Sequence, residues 1–220
     1  MLASVTSVEE ALIALDAGVD IIDLKNPVAG ALGALKLTLV RKIVLAMNHR
    51  SILSATIGDL PMSPALIIDA TKSMLETEVD IVKIGFFGQM HHMECLTALK
   101  HLAEKSKLIA VLFADQNPNL ALLPLIANAG FYGVMLDTAN KSNGHLLNYL
   151  NADDLLGFVD YASTFGLETG LAGSVQASHI KALCEVRPSY LGFRGALCEQ
   201  NNRTLSLDPL KILSIKSILN

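Results

Sequence analysis

Asp20-Ile21-Ile22-Asp23-Leu24-Lys25-Asn26-Pro27 reads as a short buried β-strand, β-branched and apolar, closed by an Asn-Pro turn signal. Side chains alternate along a strand, so Ile21, Asp23 and Lys25 point one way and Ile22 and Leu24 the other. A carboxylate and an amine therefore share a face, at the end where strand gives way to loop. Charges placed there are costly unless they are paired or put to use. A structural ion pair closing a strand end is the plain alternative to a functional site. What weighs toward chemistry is recurrence: Val79-Asp80-Ile81-Val82-Lys83-Ile84-Gly85 again sets a lysine among apolar residues, with Lys83 facing the same way as Ile81 and Gly85.

Working outward from Asp20–Lys25, the same strand–turn–helix rhythm fills the chain. Strands are predicted at Met1–Val5, Asp20–Lys25, Ser51–Ile57, Asp80–Ile84, Lys107–Ala114, Phe131–Leu136, Leu167–Ala172 and Ser189–Phe193. Between them lie helical stretches, the first capped by Ser7 with acids in its opening turn and stopped at Gly18. A helix is predicted from Asn117-Pro118 to Gly130, another from just after Ser174 to Val186, and a last one over 208–218. Strands alternating with amphipathic helices imply a parallel sheet covered on both faces. Repeated across residues 1–220 without a composition break, they predict a single-domain α/β protein, a (β/α)8 TIM barrel. An open doubly wound sheet is the alternative.

Composition narrows the function. The 220 residues are 51% hydrophobic and 17% charged, with a net charge of −4 and no tryptophan. That balance, with no Lys/Arg run, argues against nucleic acid as a partner. The uncharged stretch Gln116–Leu136 contains Pro118, Pro124, three Asn and two Gly, so no membrane span is expected. Three cysteines without tight metal spacing, and no basic-then-apolar leader, predict a reduced, cytoplasmic protein. So apolar a composition points to a homo-oligomer.

In such a barrel the active site lies at the C-terminal ends of the strands. Those ends present Asp23 and Lys25, Thr56 and Asp59, Lys83, Asp137 with Lys141 four residues on, Gly173-Ser174, and Gly192-Phe193-Arg194-Gly195. A lysine crowded by another cation in a low-dielectric cavity has its amine form favoured, and an amine attacks a carbonyl to give a Schiff base. Carboxylates nearby can move the protons this chemistry needs. A lysine snorkelling to water is the ordinary alternative for either lysine alone. Gly173, Ser174, Arg194 and Gly195 stand where barrels commonly bind phosphate, although glycine is common in any tight turn. His91-His92 reads as a solvated pair, and no metal is expected.

The segments Ala17–Pro27, Ser54-Ala55-Thr56-Ile57-Gly58-Asp59 and Val82-Lys83-Ile84-Gly85 resemble the (5-formylfuran-3-yl)methyl phosphate synthase family, also described as 4-(hydroxymethyl)-2-furancarboxaldehyde-phosphate synthase, of methanofuran biosynthesis. The resemblance implies an aldolase-like lyase on the barrel fold. Such an enzyme condenses two molecules of glyceraldehyde 3-phosphate into a phosphorylated furan aldehyde, with no metal or organic cofactor. It implies that Lys25 is the Schiff-base lysine, that Lys83 transfers protons, and that Asp23, Asp137 and Lys141 support them. The expected partner is a small phosphorylated aldehyde. The alternatives are another class I aldolase acting on phosphorylated sugars, or a non-catalytic protein that binds a phosphate ligand.

Overall fold

The alternation read at Asp20–Lys25 is realised as β2 (Ile21–Leu24), whose Ile22 and Leu24 are fully buried toward the helices while Asp23 turns inward. A computed structural model describes residues 1–141 and 143–219, and the elements below are those of the described residues. The other strands are β1 (Leu2–Val5), β3 (Ile52–Thr56), β4 (Ile81–Gly85), β5 (Lys107–Phe113), β6 (Gly133–Asp137), β7 (Glu168–Leu171) and β8 (Tyr190–Phe193). The helices are α1 (Val8–Asp16), α2 (Leu37–Met47), α3 (Pro64–Leu75), α4 (His92–Ala103), α5 (Leu123–Asn128), α6 (Leu146–Tyr149), α7 (Ala152–Ser163), α8 (Ile180–Glu185) and α9 (Pro209–Leu219).

Every strand pairs in parallel with its chain neighbour, and β8 returns to β1 through Leu2↔Gly192 and Ala3↔Phe193. The sheet is therefore a closed (β/α)8 barrel, and the open-sheet alternative is excluded. Two apolar layers follow from the period-2 alternation. The larger lies between strands and helices and includes Val5, Ile22, Leu24, Ala55, Val82 and Ile84. The smaller fills the barrel with Leu2, Ile81, Ile109, Val111, Met135 and Tyr190.

Local chemistry explains where elements start and stop. Ser7 caps α1, its hydroxyl accepting from the Glu10 N–H. The helix predicted over 117–130 is shorter than expected: a 3₁₀ turn at Leu120–Leu122 leads into α5, with Pro124 in the first turn. Proline has no N–H to donate and clashes with the preceding turn, so a helix accommodates it only at its start. The helix expected directly after Ser174 begins later, with a 3₁₀ turn at Ala177–His179 before α8. The positive φ of Gly173 and Ser174, 109° and 50°, turns the chain sharply there. Among the described residues no helix is long and apolar enough to cross a membrane.

The two layers give a stability test. Ile22→Ala, at a fully buried position, is expected to cost about 2–5 kcal/mol in urea unfolding. Leu45→Ala, on the exposed face of α2, should change it by less than about 0.5 kcal/mol.

Candidate active site

The register places polar residues of neighbouring strands side by side. Ser4 of β1 pairs with Asp23 of β2, and Asp23 with Ser54 of β3. Both hydroxyls donate to the Asp23 carboxylate, Ser4 Oγ at 2.9 Å and Ser54 Oγ at 2.7 Å. Lys83, opposite Thr56 in the β3–β4 register, reaches Asp23 Oδ1 at 2.7 Å. Across the barrel, Asp137 at the end of β6 receives Lys25 Nζ at 3.4 Å and the Lys141 ammonium. Lys141 also donates to Thr138 Oγ1 at 3.2 Å, and the Thr138 N–H donates to Asp137 at 2.8 Å.

The Asp23–Lys25 ion pair that the sequence left open is thus not the arrangement found. Each acid is matched with a lysine from another strand or loop. Asp23 is wholly buried, Lys83 is 2% exposed and Lys25 8%. Lys83 is the more enclosed of the two lysines, whereas Lys25, one residue past the end of β2, stands nearer the mouth.

Two carboxylates and three ammonium groups in so little water perturb one another. Burial pushes the Lys83 ammonium below its ordinary pKa; Asp23 opposes this and the Lys25 charge adds to it. Burial likewise brings Lys141 down to about 8, against the pull of Asp137 and with the push of Lys25 and Arg203. For Asp137, burial favours the neutral acid, but the Lys141 and Lys25 charges outweigh it and hold the carboxyl well below its usual range.

Carboxylates outside the pocket hold the loops that frame it. Asp59 accepts from the N–H groups of Ala31 and Leu32 at 2.7 and 2.6 Å, pinning the loop after β2. Gly30, at φ 126°, sits so close to Asp59 that a side chain there would collide with the carboxylate. Asp115 does the same for the loop after β6, accepting from Ala139 and Asn140 N–H at 2.7 Å each. Leu32 folds into the barrel interior, and Phe87 stacks on Phe113 with ring centroids 4.3 Å apart. That side of the mouth is filled.

The remaining space is a cavity of about 490 Å³, within the usual range for small-molecule sites. Its lining includes all nine residues picked from the sequence: Asp23, Lys25, Lys83, Asp137, Lys141, Gly173, Ser174, Arg194 and Gly195. Gly173 turns at φ 109°, and a Cβ there would lie 2.9 Å from the Thr138 methyl. Among the described residues the N–H groups of Gly173, Ser174 and Gly195 make no hydrogen bond, which leaves them available at the cavity wall.

Arg194 needs correcting. Expected as a phosphate-binding cation, it is turned inward. Nη1 and Nη2 form a two-pronged ion pair with Glu10 at 2.7 and 3.1 Å, and the guanidinium also donates to the carbonyls of Ser4, Arg203 and Leu205. All five donors are engaged. The cavity-lining cation of this loop that is not closed on an acid, among the described residues, is Arg203, which the sequence reading missed together with Gln200, Asn201 and Asn202. The polar run Glu199–Thr204 between the last strand and helix was the available signal. The expected solvated His91-His92 pair is also corrected. His92 is buried, its Nε2 3.2 Å from the Phe87 carbonyl, because the turn into α4 carries it under Phe86.

Fold and pocket define the class: a (β/α)8-barrel enzyme with a charged cavity at the C-terminal ends of its strands. The chain belongs to the 4-HFC-P synthase family, whose profile matches residues 1–216. The (5-formylfuran-3-yl)methyl phosphate synthase of Methanocaldococcus jannaschii is 34% identical over 215 residues, 92% of each chain. That of Methanothermobacter thermautotrophicus is 33% identical over 214 residues, 92% of this chain and 91% of the relative. A Methylorubrum extorquens protein provisionally given the same name is 39% identical over 214 residues, covering 96% and 88%. Among solved structures, phosphoribosyl anthranilate isomerase of Thermus thermophilus superposes with TM-score 0.70 at 15% identity, over 99% of this chain and 97% of that one. The 3-hexulose-6-phosphate synthase of Salmonella typhimurium gives 0.68 at 14%, over 100% and 99%. These two share the fold.

Two measurements check the site's electrostatics. Arg194→Met leaves Glu10 buried without its partner and is expected to cost about 3–5 kcal/mol in urea unfolding. For Lys141, whose folded pKa lies near 8 against an ordinary 10.5, the unfolded chain keeps the proton longer. Its contribution therefore makes unfolding free energy rise with pH between those values. Comparing unfolding at pH 8 and pH 10 should show a smaller rise in Lys141→Met.

Proposed function

We propose that this protein condenses two molecules of glyceraldehyde 3-phosphate into 4-(hydroxymethyl)-2-furancarboxaldehyde phosphate, in methanofuran biosynthesis, through a Schiff base on Lys25. The observation that carries the reading is the pocket's charge. Its lining holds Lys25, Lys83, Lys141, Arg194 and Arg203 against Asp23 and Asp137. Even with Arg194 neutralised by Glu10 and Lys83 counted as neutral, Lys25, Lys141 and Arg203 exceed Asp23 and Asp137 in a chain whose net charge is −4. A pocket so biased suits phosphorylated, anionic substrates. The names carried by the relatives agree with that chemistry.

Lys25, at the mouth and loosely held by Asp137, is placed to meet a carbonyl. Its amine adds to a triose phosphate and water leaves, forming the imine. Lys83, whose neutral form burial favours, takes a proton from the carbon beside the imine, and Asp23 steadies the ammonium that results. The enamine then attacks the second triose phosphate, which gives up its phosphate as inorganic phosphate. An oxygen of that second triose closes the ring onto the imine carbon, and loss of a second water together with expulsion of the Lys25 amine yields the furan and restores the free lysine. Asp137 and Lys141 orient the Lys25 amine and shuttle protons. The turns at Gly173-Ser174 and Gly195 offer backbone N–H groups to a phosphate. Every step draws on side chains and backbone of this chain.

The test is incubation with glyceraldehyde 3-phosphate, following the near-ultraviolet absorbance of a conjugated furan aldehyde, with borohydride trapping and peptide mass analysis in parallel. Wild type should give both the absorbance and an adduct on Lys25. Lys25→Ala should lose both. Lys83→Met should lower kcat roughly 100- to 10,000-fold, the range for a lost general base, while Lys25 is still trapped. An adduct without a furan would move the protein to another aldolase reaction. Neither signal from folded wild type would sink the assignment.

A further inference from the structure

Arg203 stands apart from the other cations of the cavity. Lys83 is paired with Asp23, Lys25 and Lys141 share Asp137, and Arg194 is closed on Glu10. Among the described residues Arg203 has no such ion pair, and its guanidinium makes one hydrogen bond, Nη2 to the Gly30 carbonyl at 2.9 Å. Asp59 and Asp137 lie near enough to feel its charge, but both already accept hydrogen bonds from other donors. The side chain is half-buried, and most of its five N–H groups are uncommitted at the cavity wall.

The loop that carries it is held firmly. Cys198 and Leu207 close its base as an antiparallel bridge. Arg194 donates to the carbonyls of Arg203 and Leu205 at 2.9 and 2.8 Å. Lys211 ties the Cys198 carbonyl to the Asn201 side chain. Within it Gln200 and Asn201 are both left-handed, at φ 53° and 55°, a conformation that non-glycine residues keep only where the surroundings enforce it. A planar fork on so fixed a backbone has little freedom to lose on meeting a phosphate. Its acceptor, Gly30, belongs to the loop that begins at Lys25. The fork therefore leaves a backbone beside Gly195 and bonds to the loop after β2, within reach of the Asp137 and Lys141 charges, whereas the Gly173-Ser174 turn follows β7.

Resting on the condensation proposed above, we infer that Arg203 anchors the phosphate of the triose phosphate that reacts at Lys25. The Gly173-Ser174 turn then receives the phosphate of the second copy. Two phosphorylated substrates need two receptors, and the cavity has two of different kind: a backbone turn after β7 and a side-chain fork bonded to the loop after β2. Arg194, in this arrangement, is a positioning residue that sets the loop presenting Arg203.

Arg203→Gln and Arg203→Lys test this by two readouts. In furan formation, Arg203→Gln should raise KM for glyceraldehyde 3-phosphate roughly 10- to 100-fold, as expected for a lost charged hydrogen bond. Arg203→Lys, which keeps charge but not the fork, should fall between. In borohydride trapping at Lys25, the preference for glyceraldehyde 3-phosphate over unphosphorylated glyceraldehyde should drop by a similar factor. A fall in kcat with that preference unchanged would overturn the inference and leave Arg203 a brace for the loop after β2. If Arg203→Gln does not fold, Arg203→Lys carries the same comparison. Should wild type trap the aldehyde yet form no furan, the condensation fails, while the trapping preference still decides whether Arg203 anchors phosphate.

Discussion

Two carboxylates buried inside a barrel, Asp23 and Asp137, set the terms for everything at its open end. An isolated carboxylate out of water is strongly unfavourable, so each is surrounded by donors. Asp23 has two serine hydroxyls and the Lys83 ammonium; Asp137 has two lysines and a backbone N–H. The lysines are in turn held in a low-dielectric space that none could occupy alone. Acid and amine justify each other's burial. The geometry of that compromise leaves one lysine deep, one at the mouth and one on a loop.

The loops around the pocket follow the same physics at a smaller scale. Asp59 and Asp115 each bind two successive N–H groups of a neighbouring loop, and Glu10 binds Arg194, which in turn holds the loop after β8. A carboxylate accepting charged or paired hydrogen bonds is among the stronger local restraints available. Binding residues carried on loops so restrained sit as firmly as if they stood on strands, which is what a preorganised site requires.

Fold and chemistry are separable here. Barrels at 14–15% identity superpose closely on this chain, yet likeness of backbone says little about what is bound or made. What distinguishes a site is which inward positions carry charge and how those charges are matched. In this chain the barrel interior is apolar below and ionic above, and the change falls between Ile81 and Lys83 on one strand.

The strand alternation, the helix caps and the number of strand–helix units were legible in the sequence because they depend on neighbours a few residues away. So was the placing of Asp23, Lys25, Lys83 and Asp137 at strand ends, since a charged side chain amid apolar strand residues is conspicuous, with Lys141 on the loop that follows Asp137. Which acid meets which lysine was not legible. Asp23 and Lys25 lie two apart on one strand, but barrel closure brings Lys83 to the first and Asp137 to the second. Nor could Arg194 be told from Arg203. The residue after β8 looked like the pocket's cation until α1 placed Glu10 beside it, and the arginine that lines the cavity without such a partner stood in a loop with no periodic pattern. Local order is written in spacing along the chain; the pairing of charges is decided by distances in space, and those exist only once the ring has closed.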